Sequence, residues 1–205
     1  MLLPIFLVVL ADVFALTLVL PLLAIYAEHF GATPLQATLL VSVFAACQMV
    51  SGPMLGRLSD RMGRKPLLVL SQMGTLVGLL VMANAQSLAV LFLARIIDGA
   101  TAGNLSLAQA YIADVTGAKE RSRGMAMIGA AFGLGFTFGP LLAAAFSSAD
   151  KTAPPNPMVG YSASILSGLA LVLAFLTLKE SIHEESRPAP KRYLDPRTLI
   201  ASLRD

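Results

Sequence analysis

Three ionisable residues stand inside long apolar stretches: Asp12, Arg95 and Asp98. Each costs roughly 2.5–3.5 kcal/mol at the centre of a membrane helix, so such groups are paired, hydrated or functional. Arg95, Asp98, Ala102, Ser106 and Gln109 recur every three or four residues and would form one stripe along a continuous helix. That stripe faces water or a partner helix, and Arg95 and Asp98 are spaced to pair at i, i+3. The pair reads either as a structural tie between helices or as a titrating or gating element in a transport pathway. Asp12 shares a helical face with Val19, Leu23 and Tyr26. A carboxyl group there is suited to carrying a proton, because its proton affinity depends on hydration and on the distance to a cation, and a conformational change alters both. A carboxylate facing a polar vestibule without titrating is the simpler alternative. Gln48 faces either the same cavity or a neighbouring helix.

These residues must be positioned by membrane-spanning helices. Of the 205 residues, 56% are hydrophobic and only 13% charged, against roughly 25% charged in soluble domains, and the mean hydropathy is +0.74. A soluble fold or a disordered chain is excluded. Six apolar spans are read at about residues 3–27, 35–56, 67–84, 88–112, 124–147 and 159–178, each long enough to cross the ~30 Å hydrocarbon core. They are helices, since backbone groups in lipid must be satisfied within the segment, and the ~10-residue alternation of a membrane barrel is absent. The fold class is all-α transmembrane, with residues 1–178 forming a six-helix bundle. Residues 179–205 form a cytoplasmic linker, in which Asp195 and Pro196 open a short amphipathic helix. Thr33 and Pro34 have the N-cap and first-turn chemistry to start the second span.

Of the fifteen Lys and Arg, all but Arg95 and Lys151 fall in the 2–3 connection, the 4–5 connection or the tail. The positive-inside rule therefore puts both termini in the cytoplasm, and the net charge of +3 needs no nucleic-acid partner. His29, His183 and the single Cys47 lack metal-ligand spacing, so no metal site is expected. His-Glu-x-x-His and Gly-x-Ser-x-Gly are both absent, and the chain is not read as an enzyme.

The 2–3 connection runs Gly56-Arg57-Leu58-Ser59-Asp60-Arg61-Met62-Gly63-Arg64-Lys65-Pro66. Gly56 would allow close approach at the end of the second span and Gly63 a tight turn. Asp60 among cations would make a breakable latch. The pattern closely resembles the major facilitator superfamily signature G-x-L-[SA]-D-R-x-G-R-[KR] at this place. Arg95-x-x-x-Gly99 resembles the R-x-x-x-G element of that family. Gly135-x-x-x-Gly139-Pro140 resembles the G-x-x-x-G-P element of its drug:proton antiporter branch, with Ala143 and Ala144 where two further glycines are usual. Asp12 followed by Pro21, and the run Ala110–Asp114, are similar to the tetracycline-efflux-like subgroup.

The resemblance implies the N-terminal six-helix half of a two-half transporter, built as two inverted three-helix repeats and working by alternating access in a cytoplasmic (inner) membrane. It implies proton-coupled efflux of small hydrophobic or amphiphilic compounds such as tetracycline, driven by the proton gradient without a cofactor. It associates Asp12, Arg95 and, on the stripe argument alone, Asp98 with proton coupling. Gly56, Asp60, Arg61, Gly63, Arg64 and Lys65 would form the cytoplasmic gate, and Gly135, Gly139 and Pro140 the antiporter element. Tyr26, Gln48, Ala102, Ser106 and Gln109 would line the cavity. The partners expected are lipid, protons, a small-molecule substrate and a C-terminal half, on the same chain or a second one. Two alternatives are a family transporter of another solute, such as a sugar or metabolite, and a non-transporting membrane scaffold.

Overall fold

The computed structural model describes residues 2–146 and 157–181. The amphipathic segment read at Asp195 and the 5–6 connection around Lys151 lie outside the described residues. Among the described residues there are seven helices: α1 Leu2–His29, α2 Pro34–Met62, α3 Arg64–Ala83, α4 Leu88–Thr101, α5 Asn104–Val115, α6 Ala118–Phe146 and α7 Met158–Thr177. With α4 and α5 taken together, they make six segments long and apolar enough to cross a membrane.

The ends of these helices follow local chemistry. Thr33 and Gln36 form a capping box on α2, with Thr33 N–H donating to Gln36 Oε1 at 2.8 Å. Ser87 caps α4 by accepting from Val90 N–H. Between α2 and α3 only Gly63 is non-helical. Its φ of +108° is open to glycine and strained for any other residue. The eleven-residue connection read from the sequence is thus one turn residue between two helices that run past the apolar spans. Gly56 accordingly lies within α2 rather than at its end, and no atom approaches within 4 Å of a side chain placed there.

The largest contacts pair α1 with α6 and α7, α4 with α2 and α3, and α3 with α7. Exchanging the first three spans for the last three maps this set onto itself: α1·α6 becomes α4·α2, α1·α7 becomes α4·α3, and α3·α7 is unchanged. Because three spans separate equivalent helices, the two copies cross in opposite directions. This is the inverted three-helix repeat, and it appears in packing although the two sequences show no visible similarity.

Small residues let the helices approach where lipid offers no hydrophobic drive. A Cβ on Gly135 would lie 2.5 Å from Val13 Cγ1, and one on Gly139 would overlap the Thr17 side chain, so both glycines seat α6 on α1. A Cβ on Gly99 would lie 2.7 Å from both Cys47 Cβ and Phe44 O of α2. Two apolar clusters fill the bundle, one around Ile5, Leu68, Leu107 and Tyr111, the other around Leu18, Leu23, Leu40 and Leu91. On α1 they meet just beyond Asp12.

Gly99→Val drives a branched side chain into the Phe44 backbone. It is expected to lower stability by about 1–3 kcal/mol, as overpacking does, measured by thermal unfolding of the detergent-solubilised protein.

Candidate functional site

The fourth span, read as one helix, is broken at Ala102–Gly103. Ala102 adopts φ −73°, ψ 74°, and its N–H returns to Gly99 O. Backbone groups released by such a break have no water in the hydrocarbon region and must find protein partners. Two serines supply them. Ser51 of α2 donates to Gly99 O at 2.7 Å. Ser71 of α3 donates to Thr101 O and accepts from Gly103 N–H at 2.9 Å. Ser71 thereby stands in for a missing rung of the helix, and it is fully buried.

The break opens beside a cavity of about 210 Å³, whose polar lining is Asp12, Gln48, Gln72, Thr75, Arg95, Asp98 and Asn104. Val8, Val13, Leu16, Phe44 and Phe132 are among its apolar walls. Asn104, the first residue of α5, donates through Nδ2 to both carboxylate oxygens of Asp12 at 3.0 Å, and to Thr75 Oγ1 at 3.4 Å. Arg95 is 2% exposed and pairs with Asp98 at 3.3 Å. Its guanidinium also lies over the Phe44 ring at 5.7 Å, and its NH2 group donates to Met82 Sδ at 3.7 Å. The guanidinium is thus committed to its own helix pair and an aromatic lid, while Asp12 is held across the bundle by a neutral amide.

The structure brings Asp12, Arg95, Asp98, Gln48 and Ala102 to one cavity. Tyr26 is buried in the second apolar cluster, away from it. Ser106 and Gln109 are exposed and do not line it. The single stripe drawn through Arg95, Asp98, Ala102, Ser106 and Gln109 requires an unbroken helix, and the turn at Ala102–Gly103 rotates the last two off its line. Gln72, Thr75, Asn104, Ser51 and Ser71 were not singled out from the sequence. The available signal was polar side chains inside apolar spans, with Ser71, Gln72 and Thr75 clustered within one turn of the third.

A second cluster closes the end of the bundle at Gly63. Arg64 pairs with Asp60 at 2.7 Å and with Asp114 of α5 at 2.9 Å. It also donates to Ser59 Oγ at 2.6 Å. Its backbone N–H donates to Glu180 Oε1 at 2.9 Å, beyond the end of α7, and a Cβ on Gly63 would overlap the Glu180 carboxylate. Arg64 therefore ties α2, α3, α5 and the segment after α7 together. Lys65 lies over the Phe175 ring at 5.5 Å, and Arg61 is exposed.

The Major Facilitator Superfamily model matches residues 5–204. The chain is 34% identical over 170 residues to the class C tetracycline resistance protein of Escherichia coli, covering 83% of this chain and 40% of that protein. It is 36% identical over 149 residues to the human major facilitator superfamily domain-containing protein 10, covering 73% and 31%. The crystal structure of the human organic anion transporter MFSD10 (TETRAN) superposes with a TM-score of 0.80 at 31% identity, covering 91% of this chain and 49% of that one. A peptide transporter POT superposes with a TM-score of 0.78 at 18% identity, a likeness of fold alone. The chain spans about two fifths of the length of the curated tetracycline resistance proteins it matches.

Removing one member of a buried ion pair leaves the other uncompensated, at a cost of about 3–5 kcal/mol. Asp98→Asn is therefore expected to destabilise the bundle by that amount in equilibrium unfolding. The double replacement Arg95→Met with Asp98→Leu is expected to recover most of it.

Proposed function

The chain belongs to the major facilitator superfamily, and from that premise we propose that it is the six-helix half of a proton-coupled antiporter exporting small hydrophobic or amphiphilic compounds, tetracycline-like drugs among them. The observation that carries the reading is Asp12: a carboxylate in a mid-membrane cavity, hydrogen-bonded across the bundle to Asn104 and sharing that cavity with the Arg95–Asp98 pair. The identity to tetracycline resistance proteins supports the direction and the substrate class.

The mechanism is exchange. With Asp12 ionised, its bonds to Asn104 hold α1 to the N-terminus of α5. A proton arriving through the cavity neutralises Asp12 and weakens those charge-assisted bonds, which frees α5 to move about the break at Ala102–Gly103. Return of the proton to the other side resets the contact. The Arg64 cluster with Asp60 and Asp114 is the cytoplasmic latch. It is held while that face is closed and broken as the halves rock. Each proton driven inward across 100 mV supplies roughly 2.3 kcal/mol, and no cofactor is required.

A cavity of about 210 Å³ is smaller than the ≈ 300–1,000 Å³ that drug-sized ligands occupy. The substrate is accordingly enclosed only when a second six-helix half, on the same chain or another, supplies the facing wall. The membrane is the cytoplasmic one, with both termini on the cytoplasmic side, as the Lys and Arg distribution favours. One observation favours a second reading. The similarity to a human organic anion transporter fits a family member that moves an anionic solute, which would use Arg95 rather than Asp12.

The test is drug efflux from proteoliposomes of the complete protein under an imposed pH gradient. Asp12→Asn and Arg95→Ala are each expected to abolish uphill transport. If both leave it intact, the assigned site is wrong. Dependence on Arg95 alone, with pH-insensitive flux, supports the anion reading.

A further inference from the structure

Gln72 has no place in the exchange as described so far. It is fully buried in the middle of α3 and lines the cavity beside Asp12. Neither its Nε2 nor its Oε1 meets a partner at full hydrogen-bonding distance and angle among the described residues, although the amide lies near enough to Asp12 to interact with its carboxylate. A buried amide left unmet at both atoms is costly. The lipid offers it no hydrogen bond, so its partners must be cavity water or a cavity side chain.

Which partner it takes follows from the hydrogen-bond inventory of Asp12. An ionised carboxylate only accepts, and the Asn104 nitrogen, which only donates, serves both its oxygens at 3.0 Å. A protonated carboxyl has one O–H donor and one carbonyl acceptor. The Asn104 nitrogen cannot receive the O–H. A glutamine amide presents an acceptor and a donor side by side, the complement of a neutral carboxyl. Among the described residues, the other charged groups lining the cavity are Arg95 and Asp98, and they are paired with each other.

We propose that Gln72 is the positioning residue for the proton-bound state: on protonation Asp12 exchanges its Asn104 partner on α5 for the Gln72 amide on α3. One O–H bond forms on Asp12 as one breaks on a hydronium ion in the water on the side the cavity faces, leaving neutral water behind. That O–H donates to Gln72 Oε1, and Gln72 Nε2 donates to the carbonyl oxygen of the same group. Asn104 is released, and the N-terminus of α5 with it. The exchange rests on Asp12 being the proton carrier, and it explains why the carrier is flanked by two amides on different helices rather than one.

The rival arrangement is rotation of the Asn104 amide, which would turn its own unpartnered Oδ1 toward the new O–H and leave Gln72 idle. Infrared difference spectra between neutral and acid pH, recorded on the complete protein in nanodiscs, separate the two. The carboxyl C=O band is assigned to Asp12 by its loss in Asp12→Asn. The proposal requires Gln72→Met to move that band to higher wavenumber, as a carbonyl losing its donor does, while Asn104→Leu leaves it in place. A band that moves only in Asn104→Leu, or in neither variant, overturns the proposal and leaves Asp12 as the carrier. No band that Asp12→Asn removes would instead refute the proton-carrier reading itself. Should Gln72→Met fail to fold, the unsubstituted protein with 15N-labelled glutamine side chains gives the same answer. The Gln72 amide resonance must shift over the pH range in which the carboxyl band appears, and an unchanged resonance overturns the exchange.

Discussion

The lipid around this bundle offers no hydrogen bonds, so backbone groups released inside it must be met by the protein or by water in its cavity. The break at Ala102–Gly103 is where this constraint is most demanding. It frees carbonyls and an N–H at mid-membrane, and two serines from two different helices take them up. The close seating that brings those serines in range depends on Gly99, which brings the α4 backbone against α2 and Ser51, and on Gly74, which seats α3 and Ser71 against Thr101. From that turn follow the position of Asn104 at the head of α5, its reach to Asp12, and the cavity between them. A helix broken over a polar pocket is costly to build in a membrane. The arrangement makes sense where the break moves.

The two charge clusters divide the work by burial. At mid-membrane, Arg95 and Asp98 are almost fully covered and neutralise one another, leaving Asp12 as the cavity's remaining ionisable group. At the Gly63 end, Arg64 makes several partly exposed bonds to α2, α5 and the segment after α7. Exposed pairs are individually weak, which suits the latch proposed for them. Because α5 carries Asn104 at one end and Asp114 near the other, the helix physically joins the two clusters. In the proposed exchange, a movement that releases the first would act on the second through this one helix.

Much of this was legible in the sequence. Six apolar spans, the positions of Lys and Arg, and the Gly56–Pro66 signature were sufficient for an all-helical membrane bundle of this family. The i, i+3 spacing of Arg95 and Asp98 foretold their pairing. What was not legible depended on tertiary contacts. Gly103 in an apolar span reads equally as a packing glycine or a break, and the choice rests on Ser51 and Ser71, which lie 32 or more residues away in the chain. With the break unseen, Ser106 and Gln109 were drawn onto the cavity face and Asn104 was passed over. Gln72 was not singled out, because its significance lies in its place beside Asp12, which only the assembly of the helices reveals. The inverted repeat was implied by the family resemblance but not visible in the residues themselves, because it is kept in which helix packs on which and not in residue identity.

The central claim is that Asp12 exchanges a proton for substrate. The direct measurement is proton release when a tetracycline-like substrate binds the complete protein in weakly buffered detergent solution, read with a pH indicator. The account predicts release in the unsubstituted protein that disappears in Asp12→Asn while substrate still binds. Release of the same size from Asp12→Asn, or binding without release in the unsubstituted protein, would contradict it.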